Sequence, residues 1–215
     1  MDITIILLTY GILFLGELGD KTQLIVFNLA LEYKKFYKVG IGVTIGFALL
    51  VTIGVFFGVV ITQFVPIFII SIISGVVFII IGILEARTLK ELYSERITKD
   101  LIISSNEKKQ ETTEDKKDLP SKFSKFKNNP YLAGFVYIFL MELGDKTQIL
   151  TITLASRYTL PFEVWVGSFL ALISVAWIGI LFGAFIAQKV PIFYLKLIST
   201  SIFIFVGILI LITSF

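Results

Sequence analysis

Six stretches of the chain are apolar for long enough to cross a bilayer: 3–31, 39–62, 66–86, 131–156, 164–187 and 191–213. About 20 residues rising 1.5 Å each cover the ~30 Å hydrocarbon core, so the pattern predicts an all-α membrane protein of six transmembrane helices. The interruptions have local causes. Charge separates the first two runs between Glu32 and Lys38, and Pro66 and Pro191 stand where a proline suits the first turn of the next helix. Pro161 lies in the break from Arg157 to Glu163. At the N-terminus Asp2 replaces the basic residues of a secretory signal and no A-x-A site follows, so the first run is expected to remain as an uncleaved span.

Sliding the chain by 125 positions aligns 14–84 with 139–209 without a gap, and about 30 of the pairs are identical. Two units of three spans follow from this match: residues 1–87 form the first, 130–215 the second, and 88–129 a linker. Three is odd, so the second unit starts on the opposite side of the membrane from the first. The expected architecture is therefore two inverted three-helix repeats, with equivalent residues meeting near the midplane, where secondary transporters bind their substrate.

Composition sharpens this picture. Of 215 residues 56% are hydrophobic and 21 are Phe, while only 16% are charged, against about 25% in soluble domains. The linker 88–129 holds 18 of the 35 charges, 10 basic and 8 acidic. The net charge of +3 is thus no nucleic-acid footprint, because most basic residues neighbour acidic ones. Cys and His are both absent, which removes disulfides, thiol and imidazole catalysis and every Cys/His metal site. Any metal must bind to oxygen.

With the N-terminus outside, Lys34, Lys35, Lys38, the linker, Lys189 and Lys196 collect inside, leaving Arg157 in an outside loop. The positive-inside rule then puts both termini outside and the linker in the cytoplasm, and the small size and absence of a targeting extension lead us to expect a plasma membrane. The linker is expected to begin as a helical continuation of the third span, since Leu89, Leu92, Tyr93 and Ile97 recur at helical spacing. From Ser104 to Asp118 the composition reads as disorder, and Lys122 to Lys127 mixes bases with Phe in a way suited to anionic headgroups or to a plain tether.

Nearly all charges within the spans belong to one repeated string, Glu17-Leu18-Gly19-Asp20-Lys21-Thr22-Gln23 and Glu142-Leu143-Gly144-Asp145-Lys146-Thr147-Gln148. An Asp or Lys at the bilayer centre costs about 2.5–3.5 kcal/mol on insertion scales, so these groups must face each other, water or an ion. In an unbroken helix Glu17, Asp20 and Lys21 share a face, as do Glu142, Asp145 and Lys146, and Gln23 and Gln148 lie nearer the carboxylates than the threonines do. Gly19 and Gly144 could instead loosen the helix and redirect Thr22 and Thr147. Each string has a net charge of −1, so the facing pair has −2, which one divalent cation neutralises. Carboxylate, amide and hydroxyl oxygens suit Ca²⁺, Mn²⁺ or Mg²⁺. A packing role, with Glu17–Lys21 and Glu142–Lys146 as intrahelical pairs, is the competing reading, though buried ion pairs contribute little stability. The repeated Gly54-x-x-x-Gly58 and Gly179-x-x-x-Gly183 read as faces for close helix approach.

These paired E-x-G-D-K-T strings, each in the first span of a three-span repeat beside a charged central loop, resemble the Golgi-type calcium/manganese cation:proton antiporter family. The resemblance covers both repeats. It implies export of Mn²⁺ or Ca²⁺ against inward proton flow, with Glu17, Asp20, Thr22, Glu142, Asp145 and Thr147 as motif residues. Gln23 and Gln148 are added by helical spacing, and Lys21 and Lys146 as charge-balancing groups. The metal enters as substrate, no cofactor is expected, and protons and metal compete for one set of oxygens. The alternative transporter is a three-plus-three exporter of a cationic amino acid, and a non-transporting scaffold would use the glycine faces instead. Enzyme chemistry is not expected: Asp20 and Asp145 could imitate an aspartyl dyad, but the adjacent lysines oppose it.

Overall fold

The computed structural model describes residues 1–18, 20–33, 35–105, 129–189 and 192–214, with the backbone alone at 21, 24, 88, 90–105, 183–189 and 192. Expectations for Gly19, Lys34, residues 106–128, Pro191 and the side chains of Lys21, Gln188 and Lys189 lie outside the described residues. The described residues form eight helices and no strand: α1 (Ile3–Glu17), α2 (Lys21–Glu32), α3 (Phe36–Phe64), α4 (Ile67–Ser105), α5 (Pro130–Glu142), α6 (Lys146–Tyr158), α7 (Pro161–Lys189) and α8 (Ile192–Ile212). Four segments among them, Phe36–Phe64, Ile67–Arg87, Pro161–Phe182 and Phe193–Ile212, are long and apolar enough to cross a membrane. Outward side chains such as Phe56, Phe57, Ile73, Ile80, Leu181 and Phe205 are exposed, as a lipid-facing surface requires. Beyond Arg87 the helical continuation is present, because α4 runs on to Ser105.

The first and fourth apolar runs are not continuous helices. Each is two shorter ones, α1–α2 and α5–α6, that meet at the repeated string. The break has the same construction twice. Leu18 and Leu143 take extended backbone, φ −65° ψ 120° and φ −66° ψ 112°, while their N–H groups still bond Phe14 O and Phe139 O. Asp20 N then donates to Glu17 O and Asp145 N to Glu142 O, both at 3.1 Å. Gly144 has φ +82°, in the left-handed region where a Cβ is strained. The far ends are capped by side chains: Asp2 Oδ1 accepts from Thr4 N at 2.9 Å, and Asn129 Oδ1 from Tyr131 N at 3.1 Å just before Pro130.

Each half of the chain packs its long helix on the broken helix of the other half. α3 lies on α5 and α6, α7 lies on α1 and α2, and α4 and α8 lie on each other. Glycines mark the closest approaches, and their partners are also 125 positions apart. A Cβ on Gly54 would stand 2.9 Å from Thr151 Cγ2, near Gln148 O, and one on Gly179 would stand 2.8 Å from Gln23 Cγ and 2.9 Å from Gln23 O. The glycine faces are therefore packing surfaces that bring α3 and α7 against the two strings. Between α4 and α8 the buried Phe78 and Phe203 rings lie 6.2 Å apart, in the core beside Leu13 and Ile81.

Candidate functional site

The two helix breaks meet inside the bundle and bring side chains of both strings together. Glu17 and Glu142 are 4% and 2% exposed. Thr147, in the first turn of α6, links them: its Oγ1 lies 2.7 Å from Glu17 Oε1 and 2.9 Å from Glu142 Oε2. Thr22, in the first turn of α2, donates its hydroxyl to Glu142 Oε1 at 2.6 Å. Of the two conformations open to the sequence, the broken helix is the one present, and it is what turns the threonines toward the carboxylates. In both broken helices the second segment presents its positive N-terminal end to this point, which suits negative groups.

A single hydroxyl hydrogen cannot serve both contacts of Thr147 at once. One of them is a donation from Thr147, and the other becomes a hydrogen bond only when a carboxylate brings a proton of its own.

Lys146 carries the opposite charge into the cluster from the second half of the chain. Its Nζ lies 2.6 Å from Asp20 Oδ2, 2.9 Å from Glu85 Oε1 and 3.0 Å from Gly16 O, and 3.9 Å from Glu17 Oε1. Three close acceptors use the three hydrogens of an ammonium. The Gly16 carbonyl is one of those left open at the end of α1, so the cation also caps that helix. The intrahelical Glu142–Lys146 pair is thus replaced by contacts to the other half. Asp145 is exposed, and its Oδ1 accepts from Lys146 N at 2.8 Å as the cap of α6; it stands apart from this chain of contacts.

Two small cavities flank the carboxylates. Glu17, Thr22, Gln23 and Val26 line one with Phe47 of α3 and Leu172, Val175 and Ala176 of α7. Glu142, Thr147, Gln148 and Thr151 line the other with Leu50 and Val51 of α3 and Leu172. Each residue of the second lining has its equivalent in the first at the offset of 125, Leu172 lines both, and each cavity is about large enough for one water-sized species. Gln23 is buried against the first, and Gln148 turns a buried Oε1 without a hydrogen-bond partner toward the second. Among the described residues no three carboxylates stand close enough to ligate one ion as they are placed here.

Two residues of this cluster are outside the strings. Glu85 on α4 accepts from Lys146 and, through Oε2, from Lys196 Nζ of α8 at 2.8 Å. Lys196 is therefore not an edge charge that marks the inner surface: it is 8% exposed and paired within the bundle. The signal for both was in the repeat alignment. Glu85 and Lys196 are charges inside apolar runs, and their equivalents in the other half are Ile210 and Ser71.

Comparison with known proteins adds to this geometry. A family profile described as "GDT1: Divalent cation/proton antiporter GDT1" matches residues 5–92 and 130–215, leaving out 93–129 of the linker and the first four residues. A GDT1-like protein of Schizosaccharomyces pombe is 25% identical over 227 residues, covering 93% of this chain and 86% of its own length. A Vibrio cholerae serotype O1 protein named "Putative manganese exporter" is 30% identical over 80 residues, covering 37% of this chain and 40% of its own. No solved structure matches.

Proposed function

The chain belongs to the GDT1 family of divalent cation/proton antiporters, and from that premise we propose that it exports Mn²⁺ or Ca²⁺ from the cytoplasm in exchange for protons. A multi-pass membrane antiporter is a transporter and not an enzyme, which agrees with a chain that has neither Cys nor His. The observation that carries the reading is the Thr147 hydroxyl between Glu17 and Glu142. A proton there completes the second hydrogen bond, and a metal ion that draws both carboxylates toward itself takes the proton's place, so the two substrates exclude each other.

Charge supports a divalent substrate. Glu17, Asp20 and Glu142, with the Lys146 ammonium, carry two net negative charges when all are ionised, and the Glu85–Lys196 pair adds none. One M²⁺ or two protons neutralise them. The ligands assigned to the ion are Glu17, Asp20, Thr22, Gln23, Glu142, Thr147 and Gln148, with Asp145 joining when α6 shifts and Lys21 and Lys146 balancing charge. The name of the Vibrio cholerae relative favours Mn²⁺ as the first ion to try.

The architecture we assign is six spans in two inverted repeats, 1–87 and 130–215, joined by the linker 88–129 in the cytoplasm, with both termini outside a plasma membrane. The swapped packing of α3 and α7, and the two cavities lined by residues 125 apart, support it. Rocking of one repeat against the other opens one cavity while the equivalent one closes, which is alternating access around a fixed site.

Proteoliposomes loaded with a pH-sensitive dye test the reading. Adding Mn²⁺ or Ca²⁺ is expected to move protons in the opposite direction. Absence of proton movement with either ion, together with uptake of a cationic amino acid, would replace it with the three-plus-three organic-solute exporter.

A further inference from the structure

We infer that Glu85 is a positioning residue for ion binding: it receives the Lys146 ammonium when an arriving divalent cation takes Asp20 and Glu17. This rests on the antiporter reading above. At present Nζ of Lys146 divides its three hydrogens among Asp20, Glu85 and the Gly16 carbonyl. An ion bound by Asp20 draws on the carboxylate whose Oδ2 lies 2.6 Å from the ammonium, and two positive charges so close repel each other. The ammonium must retreat, and a retreat into hydrocarbon without an acceptor is costly. Glu85 Oε1, already at 2.9 Å, holds it beside the Gly16 carbonyl, so two of its three bonds survive.

The other oxygen of Glu85, Oε2, is taken by Lys196, whose Nζ is 2.8 Å away. The device exists in one half only. The equivalents of Glu85 and Lys196 are Ile210, which is buried, and Ser71, whose hydroxyl donates to Ile67 O of its own helix. The two lysines therefore divide one carboxylate, and each weakens its hold on the other. This gives opposite expectations for the two partners. Without Glu85 the ammonium stays in the ion's place, and without Lys196 Glu85 draws the ammonium away more fully.

The test is Mn²⁺ binding to detergent-purified full-length protein, with folding checked by monodisperse elution. Glu85→Gln is expected to weaken Mn²⁺ binding by about tenfold, the size of effect that 1.4 kcal/mol produces. Glu85→Asp is expected to restore most of it, and Lys196→Met to tighten binding about threefold. In a Lys146→Met background the Glu85→Gln effect should shrink to about twofold, since the residue acts through that ammonium. Unchanged affinity in Glu85→Gln, equal weakening by Glu85→Gln and Lys196→Met, or a full tenfold loss persisting without Lys146 would each overturn the proposal. If Glu85→Gln does not fold, weakening of binding by Lys196→Met overturns it and tightening supports it. Wild-type protein that binds neither Mn²⁺ nor Ca²⁺ would overturn the antiporter reading itself, and this inference with it.

Discussion

Lys146 reaches from the start of α6 across to the first half of the chain and sets its Nζ 2.6 Å from Asp20 Oδ2, so the two copies of the string are joined by an ion pair between unlike positions. Units related by a two-fold meet in this way, residue i of one against residue j of the other. The exchange of partners ties the halves together at the point where they are most polar, and the ammonium also closes the open carbonyl end of α1.

Removing the shared hydroxyl separates hydrogen bonding from packing. Thr147→Val keeps the shape of the side chain and takes away the group between Glu17 and Glu142. It is expected to reduce metal-driven proton flux in proteoliposomes by about tenfold or more, which corresponds to one lost hydrogen bond to a charged group at ~1.5–3 kcal/mol. Thr147→Ser retains the hydroxyl and is expected to keep flux within about threefold of the wild type.

The carboxylates themselves are expected to be less forgiving. Glu17→Gln and Glu142→Gln each remove a charge that a divalent ion must meet, and each should bring Mn²⁺-driven proton flux to the level of empty liposomes. Lys35→Ala, at an exposed position between α2 and α3, is the control and should leave flux unchanged.

Helix approach gives a second pair of equivalent sites. A methyl group at Gly179 would press on Gln23, and one at Gly54 on Thr151 beside Gln148. Gly179→Ala and Gly54→Ala are expected to push α7 from α2 and α3 from α6, weakening Mn²⁺ binding in purified protein while the helical circular dichroism stays the same.

Backbone conformation distinguishes two other glycines. Gly144→Ala places a Cβ at φ +82° and is expected to cost about 1–2 kcal/mol in thermal or denaturant unfolding. Gly11→Ala, inside α1 with open space around the new methyl, is expected to stabilise by about 0.5–1 kcal/mol.

Orientation is accessible because the natural chain has no cysteine. A membrane-impermeant thiol reagent applied to intact cells is expected to label Thr213→Cys and to spare Lys35→Cys, with both labelled after permeabilisation. The reverse pattern would place the linker outside.

The sequence by itself determined the helical class, the apolar runs, the duplication and the acidic strings, because these depend on hydropathy and on spacing along one chain. It also supplied both candidate conformations at the strings, an unbroken helix that favours Gln23 and Gln148 or a loosened one that redirects Thr22 and Thr147. Only tertiary structure decided between them. Burial of Glu17 and Glu142 makes hydroxyl partners valuable, and the opened turns at Leu18 and Leu143 let α2 and α6 deliver them from the opposite half. The placement of Lys146 beside Asp20, and the pairing of Glu85 with Lys196, depend on which helices pack together across more than 100 residues of chain. No periodicity along a single helix contains that information, since the groups that neutralise each buried charge come from elements that meet only after folding.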